Sequence, residues 1–237
     1  MSETQFIRSE MILGKESTAT LKTKSVIVFG LGGVGSYVAE ALARAGVGSL
    51  ALVDNDTVSI SNLNRQLCAL HSTLGMQKTE VVAARVKDIN PDCKLKCFNE
   101  FYLPGSPSQI NLADYDYAVD AVDTVKAKIG LAFECDKLGV PLISCMGTGN
   151  KTDPSLFRIS DISKTSVCPL CRVMRYELRK AGVKKLNVVW SPEQPYSPEK
   201  CEENDFGHTP GSLPFVPGAA GLLCASKVIL DLTERKV

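Results

Sequence analysis

No run of about 18 apolar residues stands out in this sequence, which argues against a membrane-spanning helix. Residues 1–20 are polar and mixed in charge, and lack the basic-then-apolar pattern of a secretory signal. The expectation is a cytoplasmic protein with no membrane partner. Charge of one sign is also missing: 27 Lys and Arg face 26 Asp and Glu, a formal net charge of +1. The total therefore says nothing about a nucleic-acid partner; only local clustering can. There is no Gly-Lys-Ser/Thr phosphate loop, so a lysine that binds phosphate must come from another part of the chain. There is one CxxC pair, Cys168-Pro169-Leu170-Cys171, and no second. Internal repeats and low-complexity tracts are lacking too.

What is present fits an α/β protein. A length of 237 residues suits one domain, or one large domain with a small appendage. Hydrophobic residues at 44% leave ample material for a core. Nine cysteines lie at irregular spacings, several inside apolar segments (Cys97, Cys135, Cys145, Cys224), and read as reduced, buried side chains. The apolar run 25–29 ends in Gly30-Leu31-Gly32-Gly33-Val34-Gly35. Residues 34–45 have helical spacing, and 50–53 form a second apolar run ending at Asp54. Strand, glycine turn, helix and strand make the first unit of a doubly wound sheet. Spacing then predicts a helix over 76–89, a strand over 95–98, a strand over 117–122 ending at Asp123, a helix over 125–138 and a strand over 141–145. Past Gly149 it predicts an exposed strand over 156–162, an amphipathic helix over 169–181, a strand over 186–190, a flexible loop over 191–215 and a helix over 219–232. The expected fold is a Rossmann-like, doubly wound, mostly parallel sheet with a smaller mixed C-terminal extension. Its parts are an N-terminal helical arm (1–24), a nucleotide-binding core (25–150) and a C-terminal substrate or dimer region (151–237) continuous with that core.

The glycine turn between strand and helix is a phosphate site in pattern. Gly30, Gly32, Gly33 and Gly35 let phosphate oxygens approach the backbone, and the helix N-terminus supplies N–H donors. Asp54, at the end of the second strand, is placed to accept hydrogen bonds from ribose hydroxyls. To this point NAD and ATP fit equally. The next segment separates them, because Arg65 and, further on, Lys78 add cations that a dinucleotide dehydrogenase does not need near its phosphates. A triphosphate needs them to stabilise pyrophosphate as it leaves.

Gly-Leu-Gly-Gly-Val-Gly-Ser at 30–36, Asp-Asn-Asp-Thr-Val at 54–58, Ser-Asn-Leu-Asn-Arg-Gln at 61–66 and Lys78 together resemble the adenylation domain of the E1-like superfamily. The resemblance implies ATP as cofactor, ribose contact by Asp54, phosphate contact by Asn62, Arg65 and Lys78, and support from Asp56 and Gln66. It implies that Asp123 coordinates Mg2+, a role that suits a carboxylate beside a triphosphate; Asp123 could also cap the helix that follows. Thr124 departs from the Asn that often follows this aspartate. Arg8, six residues before Gly14, resembles the N-terminal arginine element with which the family reaches the triphosphate of a neighbouring subunit, and so implies a homodimer.

Protein-activating members usually carry two zinc-binding CxxC pairs, and a tetrahedral zinc site needs four ligands. Here Cys168 and Cys171 have only Cys201 or His208 as further candidates, and otherwise read as core thiols or a redox-sensitive pair. Segments 39–48, 64–66, 89–91 and 161–165, the last followed by Pro169-Leu170, are closer to the branch that dehydrates N6-threonylcarbamoyladenosine in tRNA. That resemblance implies adenylation of the threonyl carboxylate at tRNA position 37, followed by ring closure with loss of AMP. A cationic surface for tRNA is then expected, and Arg172, Arg175, Arg179 and Lys180 on the 169–181 helix, with Lys184 and Lys185 after it, could provide it. The alternative is a protein activator that adenylates the C-terminal carboxylate of a ubiquitin-like or sulfur-carrier protein, with a sulfur-transfer protein as partner. A nucleotide sensor without catalysis is a third reading.

Overall fold

The computed structural model describes residues 4–106, 108–197 and 210–235. Seven strands form one sheet: β1 (Ser25–Phe29), β2 (Ser49–Val53), β3 (Lys94–Phe98), β4 (Tyr117–Asp120), β5 (Leu142–Cys145), β6 (Arg158–Asp161) and β7 (Asn187–Trp190). Their order is β3-β2-β1-β4-β5-β7-β6, parallel throughout except for the β6–β7 pair. The apolar strands run without polar interruption because both faces are covered. Alternate residues go to opposite layers: Val26 and Val28 join one core, Ile27 and Phe29 the other.

Helices α3 (Gly35–Ala45), α4 (Lys78–Ile89) and α7 (Phe215–Leu232) pack in the first layer, through Val38 and Leu42, Val82 and Val86, and Val216, Ala220 and Val228. Helices α5 (Val125–Leu138) and α6 (Pro169–Lys180) pack in the second, through Leu131 and Cys135, and Met174 and Leu178. The N-terminal segment forms two short helices, α1 (Ile7–Leu13) and α2 (Lys15–Leu21). The C-terminal third is not an appendage to the sheet. It supplies β7, which pairs directly with β5, and the edge strand β6.

Three expectations change. Helix α7 begins at Phe215, four residues before the predicted start, because Pro217 sits in the first turn, where its missing N–H does no harm. At 18 residues with a mean hydropathy of 1.6, α7 passes by length and composition alone the test for a membrane span, against the reading that no such run exists. In the fold it packs on α3, and 44% of that window is buried. Finally, Cys97 is exposed, whereas the other seven described cysteines are buried and all eight are free thiols.

Candidate active site at the switch of the sheet

Between β1 and β4 the order of the sheet reverses, and a cleft of about 850 Å³ opens there at the carboxyl ends of the strands. This is where open α/β sheets hold their ligands. The glycine turn forms its floor. Gly30 has φ +84°, and a Cβ on it would lie 2.7 Å from the carbonyl oxygen of Ala121. A Cβ on Gly35 would lie 1.7 Å from the carbonyl oxygen of Gly30, so neither position admits a side chain. Gly30, Gly32 and Gly33 line the cleft, and Gly35 is buried beneath the turn. Helix α3 has no side-chain cap, which leaves the positive end of its dipole for an anion.

Asp54 joins this turn to the loop beyond β2. Its Oδ2 accepts the Leu31 N–H at 2.6 Å and its Oδ1 the Asp56 N–H at 2.8 Å. The loop is clipped to the start of α4 by a Thr57–Gln77 bridge and by the Lys78 N–H, which donates to the Asp56 carbonyl at 3.0 Å. Lys78, the first residue of α4, has a side chain only 5% exposed, and its Nζ lies 2.7 Å from Asp56 Oδ2. A cation at a helix N-terminus opposes the helix dipole. Asp56 supplies its counter-charge at the edge of the cleft. Arg65 lines the same cleft, with Nη1 held at 2.9 Å by both the Ser61 carbonyl and Asn64 Oδ1, and has further N–H donors to offer. Asn62 and Gln66 are buried in the wall; Asn62 Oδ1 accepts the Ser59 N–H at 3.1 Å.

Asp123 lines the cleft on the opposite side, but not at a strand end. β4 stops at Asp120, whose Oδ1 accepts the Val122 N–H at 3.2 Å and so turns the chain out of the ladder. Nor does Asp123 cap α5: the N-cap is Thr124, with no side-chain cap bond. The Asp123 carboxylate is exposed and, among the described residues, accepts only the Thr124 hydroxyl, at 3.3 Å. A hard, uncommitted carboxylate oxygen suits Mg2+. No group of three or more His, Cys, Asp or Glu suited to a metal occurs among the described residues.

Other expected residues are elsewhere. Arg8 is exposed on α1 and does not reach this cleft within the chain. Arg172, Arg179 and Lys180 are exposed on α6, with Lys180 Nζ 4.2 Å from the Tyr176 ring centroid and 3.7 Å from Glu177. Arg175 departs from expectation: it is half-buried and donates to the hydroxyl and carbonyl oxygens of Thr165. It flanks the buried Cys171 and Met174 face, where the Thr165 oxygens occupy its Nη1 and hold the side chain against the protein, so it is less available to a phosphate than Arg172, Arg179 and Lys180.

Cys168 and Cys171 are both buried. A hydrogen bond from the Cys171 thiol, with N–H groups that include that of Gly147, holds the Cys168 thiol down at about 5, while the same contact pushes Cys171 up. Cys201 and His208, the other candidate zinc ligands, lie outside the described residues.

Two features of the cleft escape sequence reasoning. One is its far rim, where Pro210, Ser212 and Pro217 are brought across from the C-terminal segment; the Asn64 side chain donates to the Ser212 carbonyl at 2.9 Å and the Gly211 N–H donates to Asn150 Oδ1 at 2.7 Å. The other is Lys128, a lining residue whose side chain is 1% exposed. It did leave a signal: with Leu131, Ala132 and Cys135 it occupies the buried stripe of α5 at helical spacing, a place where a lysine needs a reason.

A glycine turn at a helix N-terminus, cations from the adjoining loop and helix, and an exposed carboxylate across the cleft suit a nucleoside triphosphate on a doubly wound sheet. The chain belongs to the ThiF family, whose model matches residues 6–236, and so to the E1-like superfamily that its motifs resemble. It is 46% identical over 241 residues to a tRNA threonylcarbamoyladenosine dehydratase of Bacillus subtilis, covering 97% of this chain and 95% of that one. It is 44% identical over 235 residues to a protein of the same name from Haemophilus influenzae, covering 93% and 90%. Its fold superposes on the crystal structure of the Escherichia coli tRNA N6-threonylcarbamoyladenosine dehydratase in complex with ATP with a TM-score of 0.86, at 30% identity and with 97% and 94% of the two chains covered.

Proposed function

We propose that this chain is an ATP-dependent tRNA threonylcarbamoyladenosine dehydratase. The observation that carries the reading is the gathering of Asp54, Arg65, Lys78 and Asp123 around one cleft, in a chain alike over nearly its whole length to enzymes of that name. ATP lies with its ribose toward Asp54 and its phosphates between the glycine turn, Asn62, Arg65 and Lys78. Asp123 would hold Mg2+, which would neutralise phosphate charge. A carboxylate oxygen of the threonyl group attacks the α-phosphorus, the bond to the β-phosphate oxygen breaks, and pyrophosphate leaves against Arg65 and Lys78. The acyl adenylate turns a poor leaving group into a good one. The neighbouring carbamoyl group then closes a ring and AMP departs, so the net change in the nucleoside is loss of water. The second step is intramolecular, which lowers its barrier without a protein nucleophile.

The tRNA rests on Arg172, Arg179 and Lys180, the enzyme is a cytoplasmic homodimer, and Arg8 completes the partner's site. A sulfur-transfer protein is a further partner implied by the resemblance. The protein-activator reading is weaker: the likeness to the adenylyltransferase and sulfurtransferase MOCS3 of Drosophila sechellia covers 143 residues, 31% of that protein.

The test is incubation of threonylcarbamoyl-modified tRNA with the protein and Mg-ATP, followed by mass spectrometry of the nucleosides. Loss of one water from the modified adenosine, with AMP released, is expected. An unchanged nucleoside together with pyrophosphate exchange on a small carrier protein would move the function to protein activation.

A further inference from the structure

Lys128 sits beneath the cleft with nothing in the mechanism above to do. Its Nζ is 3.1 Å from each oxygen of Asp120, 2.7 Å from the Cys145 carbonyl oxygen and 3.4 Å from Ser144 Oγ. Ser144 in turn donates to Asp120 Oδ2. The side chains of Lys128 and Asp120 are 1% and 0% exposed. An ammonium has three donors, and these acceptors fill them, so Lys128 is not free to bind a phosphate. A buried ion pair of this kind contributes little to stability compared with an apolar pair, so its retention calls for another reason.

Position supplies one. Asp120 is the last residue of β4 and Cys145 the last of β5, and the loops that leave them are the two that line the cleft on this side, 121–124 and 146–149. Asp120 grips the Val122 N–H with the same oxygen that takes Lys128, and Asp123 is the next residue. The Lys128 backbone N–H closes the first turn of α5 onto the Thr124 carbonyl at 3.1 Å. One side chain thus ties together the strand end before Asp123, the helix start after it and the strand end beside it.

We propose that Lys128 is a positioning residue for the metal–nucleotide complex: acting through Asp120 and the Val122 N–H, it fixes the turn that aims the Asp123 carboxylate. This rests on the assignment of Asp123 to Mg2+. Groups that orient a metal ligand change metal affinity by about ten- to a hundredfold when removed.

The variants are Lys128→Met with Asp120→Asn, which removes both buried charges at once and so avoids leaving one unpaired, and Lys128→Met alone. ATP binding to the full chain is measured by calorimetry over a range of Mg2+ concentrations and in EDTA, with a thermal melt of the free protein. In the double variant the melt stays within a few degrees of wild type, ATP affinity in EDTA changes less than about threefold, and the Mg2+ concentration for half-maximal enhancement of binding rises by about tenfold or more. A role confined to holding the fold together would weaken binding equally with and without the metal. Should the single variant fail to fold, the double variant still decides. An unchanged Mg2+ dependence in the folded double variant, with Asp123→Ala abolishing that dependence, overturns the positioning role alone. Wild-type protein that binds ATP with no Mg2+ dependence, or no ATP at all, removes the Asp123 assignment and this role with it.

Discussion

The charged side chains around the cleft have separable jobs. Among the described residues the Asp123 side chain has one hydrogen bond, a weak one from its neighbour Thr124. Asp123→Ala should therefore abolish AMP formation and leave the melting temperature unchanged; AMP release at the wild-type rate would remove it from the mechanism. Arg65→Ala and Lys78→Ala each delete a cation beside the leaving pyrophosphate, a loss worth about 10²–10³ in turnover in comparable electrostatic sites. Single-turnover AMP release measures this. The two should differ in stability, because Lys78 is almost wholly buried against Asp56 whereas Arg65 is only half-buried. At this scale most of the site is legible in sequence: the glycines, Asp54, Arg65 and Lys78 stand in linked motifs. Lys128 is not, because its partners Asp120 and Cys145 come from two other strands, and only its place on an apolar stripe betrays it. Arg175 misleads for the related reason that helical spacing gives the side of α6 it occupies but not the Thr165 carbonyl waiting there.

Elements, rather than residues, hold the phosphate floor in register. Glu40 on α3 reaches Arg85 on α4 as well as Arg44 on its own helix, with Arg44 Nη2 at 2.7 Å. Burial raises the Glu40 pKa, but the bonds to Arg85 and Arg44 outweigh it and hold the carboxyl below the usual range. A depressed carboxyl contributes stability in full above its ordinary value of 4.5 and loses that contribution as pH falls through its folded value. Glu40→Gln should thus be less stable than wild type at pH 7, by about 0.2–1 kcal/mol, and match it in acid below the folded value. Denaturant melts at the two pH values check the sign; an equal deficit at both would show that the ion pairs are not its source. On α6, Arg172→Glu with Arg179→Glu should weaken tRNA binding and flatten its salt dependence by about two phosphate contacts. Unchanged binding would leave α6 a solvated face. Element types and most boundaries follow from the sequence. β4 is the exception: its apolar run continues to Val122, but after the Ala121 N–H bonds Phe29 the buried Asp120 carboxylate takes the Val122 N–H and the ladder ends.

For the whole molecule, the sequence motifs convey a sheet and a cleft but not how the ends of the chain are used. Phe6 packs on Gly46, and Arg235 donates to the Leu13 carbonyl, so the N-terminal arm and the C-terminus meet on the same side of the core. Arg8, outside its own cleft, is exposed next to the strongly exposed Met11 and Ile12. If it serves a partner, mixing Arg8→Ala protein with Asp123→Ala protein should restore AMP formation. One site of each mixed dimer would then hold both residues, giving about a quarter of wild-type activity after full exchange. No recovery would confine Arg8 to its own chain.

Pro217, in the first turn of α7, stacks on the glycine turn: a Cβ on Gly33 would lie 3.1 Å from it. The glycine turn thus leaves the ribosome long before the helix that roofs it. At elongation rates of about 5–20 residues per second, a nascent chain carries the ATP motifs exposed for some ten seconds or more before it can close them. A chain arrested before Phe215 lacks Pro217 and the apolar faces of α7 that fill the first core layer. Such a chain is expected to leave the glycine turn unroofed and one face of the sheet open.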